Sequence, residues 1–550
     1  MKYLKQATAS FRVAHNVCLL RAIFFVIMAS LTIFASCTNK AEDPLKNEAQ
    51  LTIDASQVRA VISDAAFGVN TAVWDNHLLD PQIPDLLRGA GVTMLRFPGG
   101  STADVYHWKT QALSRGIVGN NYISASNTFD AFMQVVQKTG AQAFITVNYG
   151  SNEAGTDGGD PAEAAAWVYY ANVVKHYGIK YWQIGNEVYG NGFYGPRWEA
   201  DRHAEKGPAT YANNVLQFAR AMKAVDPSIK IGISLTTPIV DNAHDEMADW
   251  NPTVLSIACS VIDFVDVHWY PRLSKSDSRS ADAQLLARPG LMPNFIMQPR
   301  NAIMQSCGTH AHAVEIFLGE VNTDISVKQK VSIVNALFLA DMYMSWLAHG
   351  GTNVTWWDVH NGIEVPGDNE PMVYGNTAYG DPGLLSNGTC AGGNQCAKGP
   401  CADKLCEPAA NTPFMPYYGL QMLSYLGRPG DQIVAATSRL DTVAIHAVKQ
   451  VNGNLALLLI NKDPGKSVKP MVSIAGYTPA TTARVYTLDP HSSAISPVSS
   501  IDVRTAVQPD LPPYSLTTII LAPARANASL PSSFPHQFTT AFFAVVRRIL

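Results

Sequence analysis

Tyr181–Gly190 reads YWQIGNEVYG, an apolar run that stops at a carboxylate with an amide beside it. A strand buried on both faces explains the run, because parallel strands covered by helices are nearly continuous hydrophobic segments rather than alternating ones. Alone, the Asn-Glu pair fits equally a strand end followed by a polar turn. The rest of the chain decides between a turn and a site.

Seven more runs of this kind flank it. They are Phe67–Asn70, Val92–Phe97, Ala143–Asn148 and, beyond Tyr181–Asn186, Lys230–Leu235, Phe264–Trp269, Val314–Glu320 and Asn353–Asp358. Helical patterns lie between them. Pro161–His176 has Pro at its start and Gly178 just past its end; Tyr211–Val225 and Lys328–His349 are similar, the last ending at Gly350-Gly351. Eight strand–helix units closing on themselves predict an α/β fold, a (β/α)8 TIM barrel over residues 63–428. A doubly wound open sheet is the alternative. Past residue 428 the texture changes to short β runs (Thr442–Val448, Asn454–Ile460, Met471–Ile474, Leu516–Leu521) separated by turn signals. Residues 429–522 therefore read as an appended C-terminal β-sandwich domain, with the strand-like segment 51–62 as a candidate further member.

The 550 residues are 47% hydrophobic and 15% charged, with net charge −4, and no basic stripe points to nucleic acid. Low charge with many aromatic residues fits a cleft that stacks on neutral ligands. Lys2, Lys5, Arg12 and Arg21 precede the apolar run Ala22–Ser36, which is short for a spanning helix and reads as a secretory signal. The run ends at Cys37 after small residues, as in a bacterial lipobox, with Phe34 where Leu is usual. Residues 1–37 are thus expected to be a signal segment and 38–50 a polar tether. The protein is expected to be exported, either as a cell-surface lipoprotein or as a periplasmic or secreted protein, with membrane contact only through a lipid at Cys37. Setting aside Cys18 and Cys37 leaves six cysteines, Cys259, Cys307, Cys390, Cys396, Cys401 and Cys406, of which the last four crowd a Gly/Asn/Pro-rich insertion at 361–412. Export favours disulfides there. A zinc site is the rival, but Cys-x-x-Cys and a neighbouring His are missing. The tail 523–550 has no reading beyond an apolar part too short to span a membrane.

Function in a barrel gathers at the C-terminal ends of its strands. Arg96 stands at the second such end, followed by Pro98-Gly99-Gly100-Ser101; Asn148 is at the third, Asn186 and Glu187 at the fourth. His268 and Tyr270 are at the sixth, Glu320 at the seventh, and Trp357, with Asp358 and His360, at the eighth. Glutamates on opposing strand ends predict two-carboxylate glycoside hydrolysis, one as acid and base and the other as nucleophile, separated by about 5 Å in retaining enzymes. Trp108, Trp269, Trp356 and Trp357 are candidate platforms for stacking on sugar rings.

Gly185-Asn186-Glu187 with Glu320 resembles the large clan of retaining glycosidases built on this barrel. LRFPGGSTADVYHW (Leu95–Trp108), the run Val147–Gly190, TYANNVLQFARAMKAVDPSIKIGIS and IDFVDVHWY resemble family 51 α-L-arabinofuranosidases. The likeness covers residues 65–272 well and the rest to 520 loosely. It implies Glu187 as acid/base, Glu320 as nucleophile, Asn186 on a sugar hydroxyl, and Tyr270 orienting the nucleophile or touching the sugar. The implied substrate is a side chain of a plant or microbial polysaccharide or oligosaccharide. Arg96, Ser101, Asn148, His268 and Trp357 are further substrate-binding candidates.

Three departures bear on which sugar. Ser101 replaces the Asn of the family's Pro-Gly-Gly-Asn, Gly319-Glu320-Val321-Asn322 replaces its Asp-Glu-Trp, and Asn70-Thr71-Ala72-Val73-Trp74 lacks its acidic residue. The same clan also offers endo-β-glucanase, β-xylosidase and β-glucuronidase readings. A rival of another class is a non-catalytic glycan-binding surface lipoprotein. Gly190–Gly195 matches G-x-G-x-x-G, but Pro196-Arg197-Trp198 follows where a dinucleotide site needs a helix. No cofactor and no metal are expected; His107, His268 and His360 read as hydrogen-bonding residues.

Overall fold

The computed structural model describes residues 50–114, 122–236, 247–271, 278–323, 329–363, 377, 379–390 and 405–524. The signal segment, Cys37, Cys396, Cys401 and the tail beyond 524 lie outside the described residues. Strand β1 (Leu51–Val61) precedes a barrel made of β2 (Phe67–Asn70), β3 (Met94–Phe97), β6 (Gln142–Val147), β7 (Tyr181–Ile184), β8 (Lys230–Ser234), β9 (Phe264–Trp269), β10 (Glu315–Val321) and β11 (Asn353–Trp356). A small hairpin, β4 (Tyr106–His107) and β5 (Ala112–Leu113), sits between the second and third barrel strands. The barrel closes in the order β10-β11-β2-β3-β6-β7-β8-β9 with every pair parallel, which rules out the open sheet.

Four of these strands carry an inward-pointing aromatic residue at or near their N-terminal ends. Phe144, Tyr181, Phe264 and Phe317 close the N-terminal end of the barrel with Ala65 and Met94, and Phe264 and Phe317 have ring centroids 4.6 Å apart. The helix expected at Pro161–His176 is α-helical over Pro161–Val168 and widens into a π turn over Tyr169–Val174. The helix Ile333–Ala348 is buried along almost its whole length, because the barrel lies on one side of it and the helix Met415–Leu426 and the β domain on the other.

The β domain comprises β12 (Gln432–Ser438), β13 (Val443–Lys449), β14 (Leu455–Asn461), β15 (Val472–Ala475), β16 (Pro479–Leu488), β17 (Ser499–Asp502) and β18 (Ser515–Pro523). β1 joins it, antiparallel to β12 and parallel to β15. β14 shows how one strand serves two cores. Its side chains alternate between faces, so Leu455, Leu457 and Leu459 fill the β domain while Ala456, Leu458 and Ile460 pack on the barrel side. Across the same interface the buried carboxylate of Asp341 meets Lys462 Nζ at 2.5 Å and His446 Nε2 at 2.7 Å. Among the described residues two disulfides form, Cys259–Cys307 joining the ends of two barrel helices and Cys390–Cys406 within the insertion.

Candidate active site

The two glutamates reach the barrel mouth by different local devices. β7 stops at Ile184; Gly185 turns at φ 73° and Glu187 itself sits at φ 37°, in the left-handed region that non-glycine residues rarely adopt. β10 instead bulges. Leu318 pairs with Val267 and Glu320 with His268, leaving Gly319 as an extra residue that re-aims the next side chain. Only glycine fits there, since a Cβ would lie 2.2 Å from both carboxylate oxygens of Asp266, while the Gly319 N–H donates to Asp266 Oδ1 at 2.6 Å.

Arg96 organises the floor of the site. It is 1% exposed, and its guanidinium makes five hydrogen bonds. Nη1 donates to Glu320 Oε1 at 2.7 Å and Asn70 Oδ1 at 2.9 Å; Nη2 donates to Asn186 Oδ1 at 2.7 Å and Gln183 Oε1 at 3.2 Å; Nε donates to Gln183 Oε1 at 3.3 Å. A buried guanidinium with all its donors used is a fixed cation, which holds the Glu320 carboxylate and orients the Asn186 amide together. The Tyr270 hydroxyl donates to the other Glu320 oxygen at 3.0 Å.

Glu187 is held by two donors. Trp198 Nε1 gives a hydrogen bond to Oε2 at 2.6 Å, and His268 Nδ1 lies 2.8 Å from Oε1. His268 bonds Asp266 Oδ2 through Nε2 at 3.1 Å and stands 3.7 Å from Glu320 Oε2. Burial pushes the imidazole down, but the charges of Glu320 and Asp266 outweigh it and raise its pKa to about 10. His268 is therefore an imidazolium at neutral pH and donates from both nitrogens. Ligand atoms of Glu187, His268 and Glu320 all lie within 4.8 Å of one another, a spacing that a metal ion could also use.

Two buried carboxyls escaped the sequence reading. Glu199 Oε1 accepts from Asn186 Nδ2 at 2.9 Å and from the Ser101 hydroxyl at 2.7 Å, and Asp104 Oδ2 accepts the Asn186 N–H at 3.1 Å. Burial, then the charges of Asp104 and Glu187, push Glu199 well above the usual carboxylate range; burial and Asp201 do the same to Asp104 against their N–H donors. Glu199 arrives because the loop of the G-x-G-x-x-G match returns to the strand end. The Trp198 and Glu199 N–H groups both bond the Gly190 carbonyl, and a Cβ at Gly190 would lie 2.3 Å from the Trp198 ring. The loop carries a tryptophan and a glutamate to the cleft, and no helix follows it directly.

Other candidates fall outside the cluster. The Asn148 amide donates to the Tyr106 carbonyl at 3.2 Å and accepts from the Ser151 N–H at 3.0 Å; among the described residues none of its hydrogen bonds reaches either glutamate. Trp269 and Trp356 are fully buried against Phe338 rather than open to sugar, and Trp108 stacks on Trp167. Trp357 is half-buried at the mouth, tilted against Trp74 at 6.0 Å. His107 bonds Glu163 and Ser114, and His360 bonds Asp75 and Asn411.

No family model matches the chain. A protein of Aspergillus fumigatus named probable alpha-L-arabinofuranosidase C is 26% identical over 220 residues, 34% of this chain and 38% of that protein. An intracellular exo-alpha-(1->5)-L-arabinofuranosidase of Bifidobacterium longum is 28% identical over 240 residues, 40% of each. The matches thus span about two fifths of the length of these curated relatives. An alpha-L-arabinofuranosidase structure from Thermotoga maritima superimposes with TM-score 0.61 at 17% identity, over 86% of this chain and 99% of that one. A bifunctional glucanase-xylanase from a metagenome library fits equally well, with TM-score 0.61 at 16% identity and the same coverage. In sequence and in fold the chain is similar to the family 51 arabinofuranosidases, barrel glycoside hydrolases with an appended β-sandwich.

Proposed function

We propose that the protein is a retaining glycoside hydrolase, α-L-arabinofuranosidase-like, that removes sugars from plant or microbial glycans. The observation that carries this is the separation of the carboxylates. Glu187 and Glu320 present oxygens within 4.8 Å of each other, whereas inverting enzymes hold theirs about 6.5–9.5 Å apart to admit a water. Glu320, ionised beside Arg96, attacks the anomeric carbon while Glu187 gives its proton to the departing oxygen. The bond to the leaving group breaks and a glycosyl ester forms on Glu320. Glu187, now a carboxylate steadied by Trp198 and the His268 imidazolium, takes a proton from water. The resulting hydroxide equivalent releases the sugar with net retention. Asn186, fixed from both ends by Arg96 and Glu199, has one amide hydrogen left for a sugar hydroxyl. The signal-like leader supports export, with Cys37 as the lipid attachment point.

A glucanase or xylanase reading has its own support, because Ser101 and Val321 stand where the arabinofuranosidases resembled here carry Asn and Trp. A panel of aryl arabinofuranosides, xylosides, glucosides and glucuronides separates the two. Turnover of the α-L-arabinofuranoside above the others is expected. Turnover of another member assigns another sugar, and no turnover of any leaves the non-catalytic glycan binder.

A further inference from the structure

The insertion after β11 carries a second pair of buried carboxyls, remote in chemistry from the hydrolytic reaction. Asp381 is 0% exposed and Glu407 8%. One oxygen of each is tied down. Asp381 Oδ1 accepts the Gly383 N–H at 2.7 Å; Glu407 Oε2 accepts the Asn387 and Thr389 N–H groups at 3.1 and 3.3 Å and the Ser386 hydroxyl at 3.2 Å. The other oxygens, Asp381 Oδ2 and Glu407 Oε1, are buried and have no donor among the described residues, although the two carboxyls lie within hydrogen-bond reach of each other. The Thr389 hydroxyl is likewise buried and has no partner among the described residues. It lies against Gly362, where a Cβ would be 3.1 Å away.

Facing carboxyls coexist by sharing a proton or by sharing a cation. A shared proton would serve only the two carboxyl oxygens and leave the Thr389 hydroxyl without a partner, which favours the cation. The free donor set is all oxygen, carboxylate and hydroxyl, which suits a hard ion such as calcium and not zinc. We propose that Asp381, Glu407 and Thr389 hold a calcium ion that clamps the insertion to the barrel mouth. The clamp is one residue from the cleft wall. Asn322 Nδ2 donates to the carbonyls of both Trp357 and Pro382, and the Leu384 N–H bonds the Asp358 carbonyl at 2.9 Å. On the other side the Glu407 N–H bonds the Thr389 carbonyl at 3.0 Å beside the Cys390–Cys406 disulfide. Protons compete with the ion, because without it burial and Glu407 hold Asp381 well above its usual range.

Thermal unfolding of the full chain, stripped with chelator and titrated with calcium chloride, tests this without any substrate, so the hydrolase reading does not enter. A saturable rise in Tm is expected, roughly 1–2 °C at tenfold excess over the dissociation constant. Asp381→Asn and Glu407→Gln should each remove the rise. No rise in the wild type overturns the proposal, as does a rise that survives in both variants. A shared proton would instead make Asp381→Asn stabilise the calcium-free protein and leave calcium without effect. Equilibrium dialysis with radioactive calcium reads one ion per chain in the wild type and weaker binding in Thr389→Val, should a carboxyl variant not fold; an unaltered affinity in Thr389→Val removes that ligand and overturns the assignment.

Discussion

The two ends of the barrel are built from the same strands and share almost nothing else. At the N-terminal end β6, β7, β9 and β10 contribute Phe144, Tyr181, Phe264 and Phe317 to an aromatic plug. A few residues on, β7, β9 and β10 lead to Glu187, His268 and Glu320. Because all eight strands run the same way, one end can be given wholly to packing and the other to chemistry. Arg96 stands between the two, its guanidinium carbon 5.4 Å from the Phe144 ring centroid and its nitrogens on the polar residues above.

Substitutions at the two ends should therefore fail in different ways. The largest effect belongs to the mouth. Glu320→Gln should keep the fold and lower turnover by roughly 10^4-fold or more, and azide should restore activity to Glu320→Ala. Rescue at Glu315 instead would move the nucleophile to the wrong end of β10. Phe317→Ala should do the reverse, costing about 3–5 kcal/mol in denaturant unfolding while leaving the pH profile of the surviving activity unchanged. A changed profile would mean that the ends are mechanically coupled. Asp341→Ala, at the interface with the β domain, should also destabilise by about 3–5 kcal/mol, since it strands Lys462 and His446.

A smaller effect concerns pH. His268 titrates near 10 when folded, above its ordinary value near 6.5. Its contribution to stability is fully present below about pH 6.5 and is lost as the pH rises through 10. Urea unfolding of wild type and His268→Gln between pH 7 and 10 should show the alkaline loss only in the wild type. The smallest effect is at Glu199, whose pKa is raised by burial and the charges of Asp104 and Glu187. Glu199→Gln should change kcat/KM by about tenfold or less, and a larger loss would show that its charge is needed.

Sequence showed the mouth better than its supports. The glutamates were legible because each ends a run that only a doubly buried strand explains, and Cys390–Cys406 lies within the Cys-rich segment whose composition suggested a staple. Glu199 and Asp104 were not, since they come from loops whose return path depends on glycines such as Gly190 rather than on periodicity. The tryptophans misled for a simple reason. Side chains alternate along a strand, so His268 and Trp357 face the mouth while their neighbours Trp269 and Trp356 point outward into the helices. The bulge at Gly319 was hidden for the converse reason, since a glycine inside an apolar run shows no register until its neighbour is known.

In the proposed mechanism Glu187 and Glu320 act as a retaining pair. Proton NMR of the first-formed product from an aryl glycoside turned over by the wild type tests it most directly. A product sugar with the same anomeric configuration as the substrate before mutarotation is expected; the opposite anomer would contradict a retaining pair.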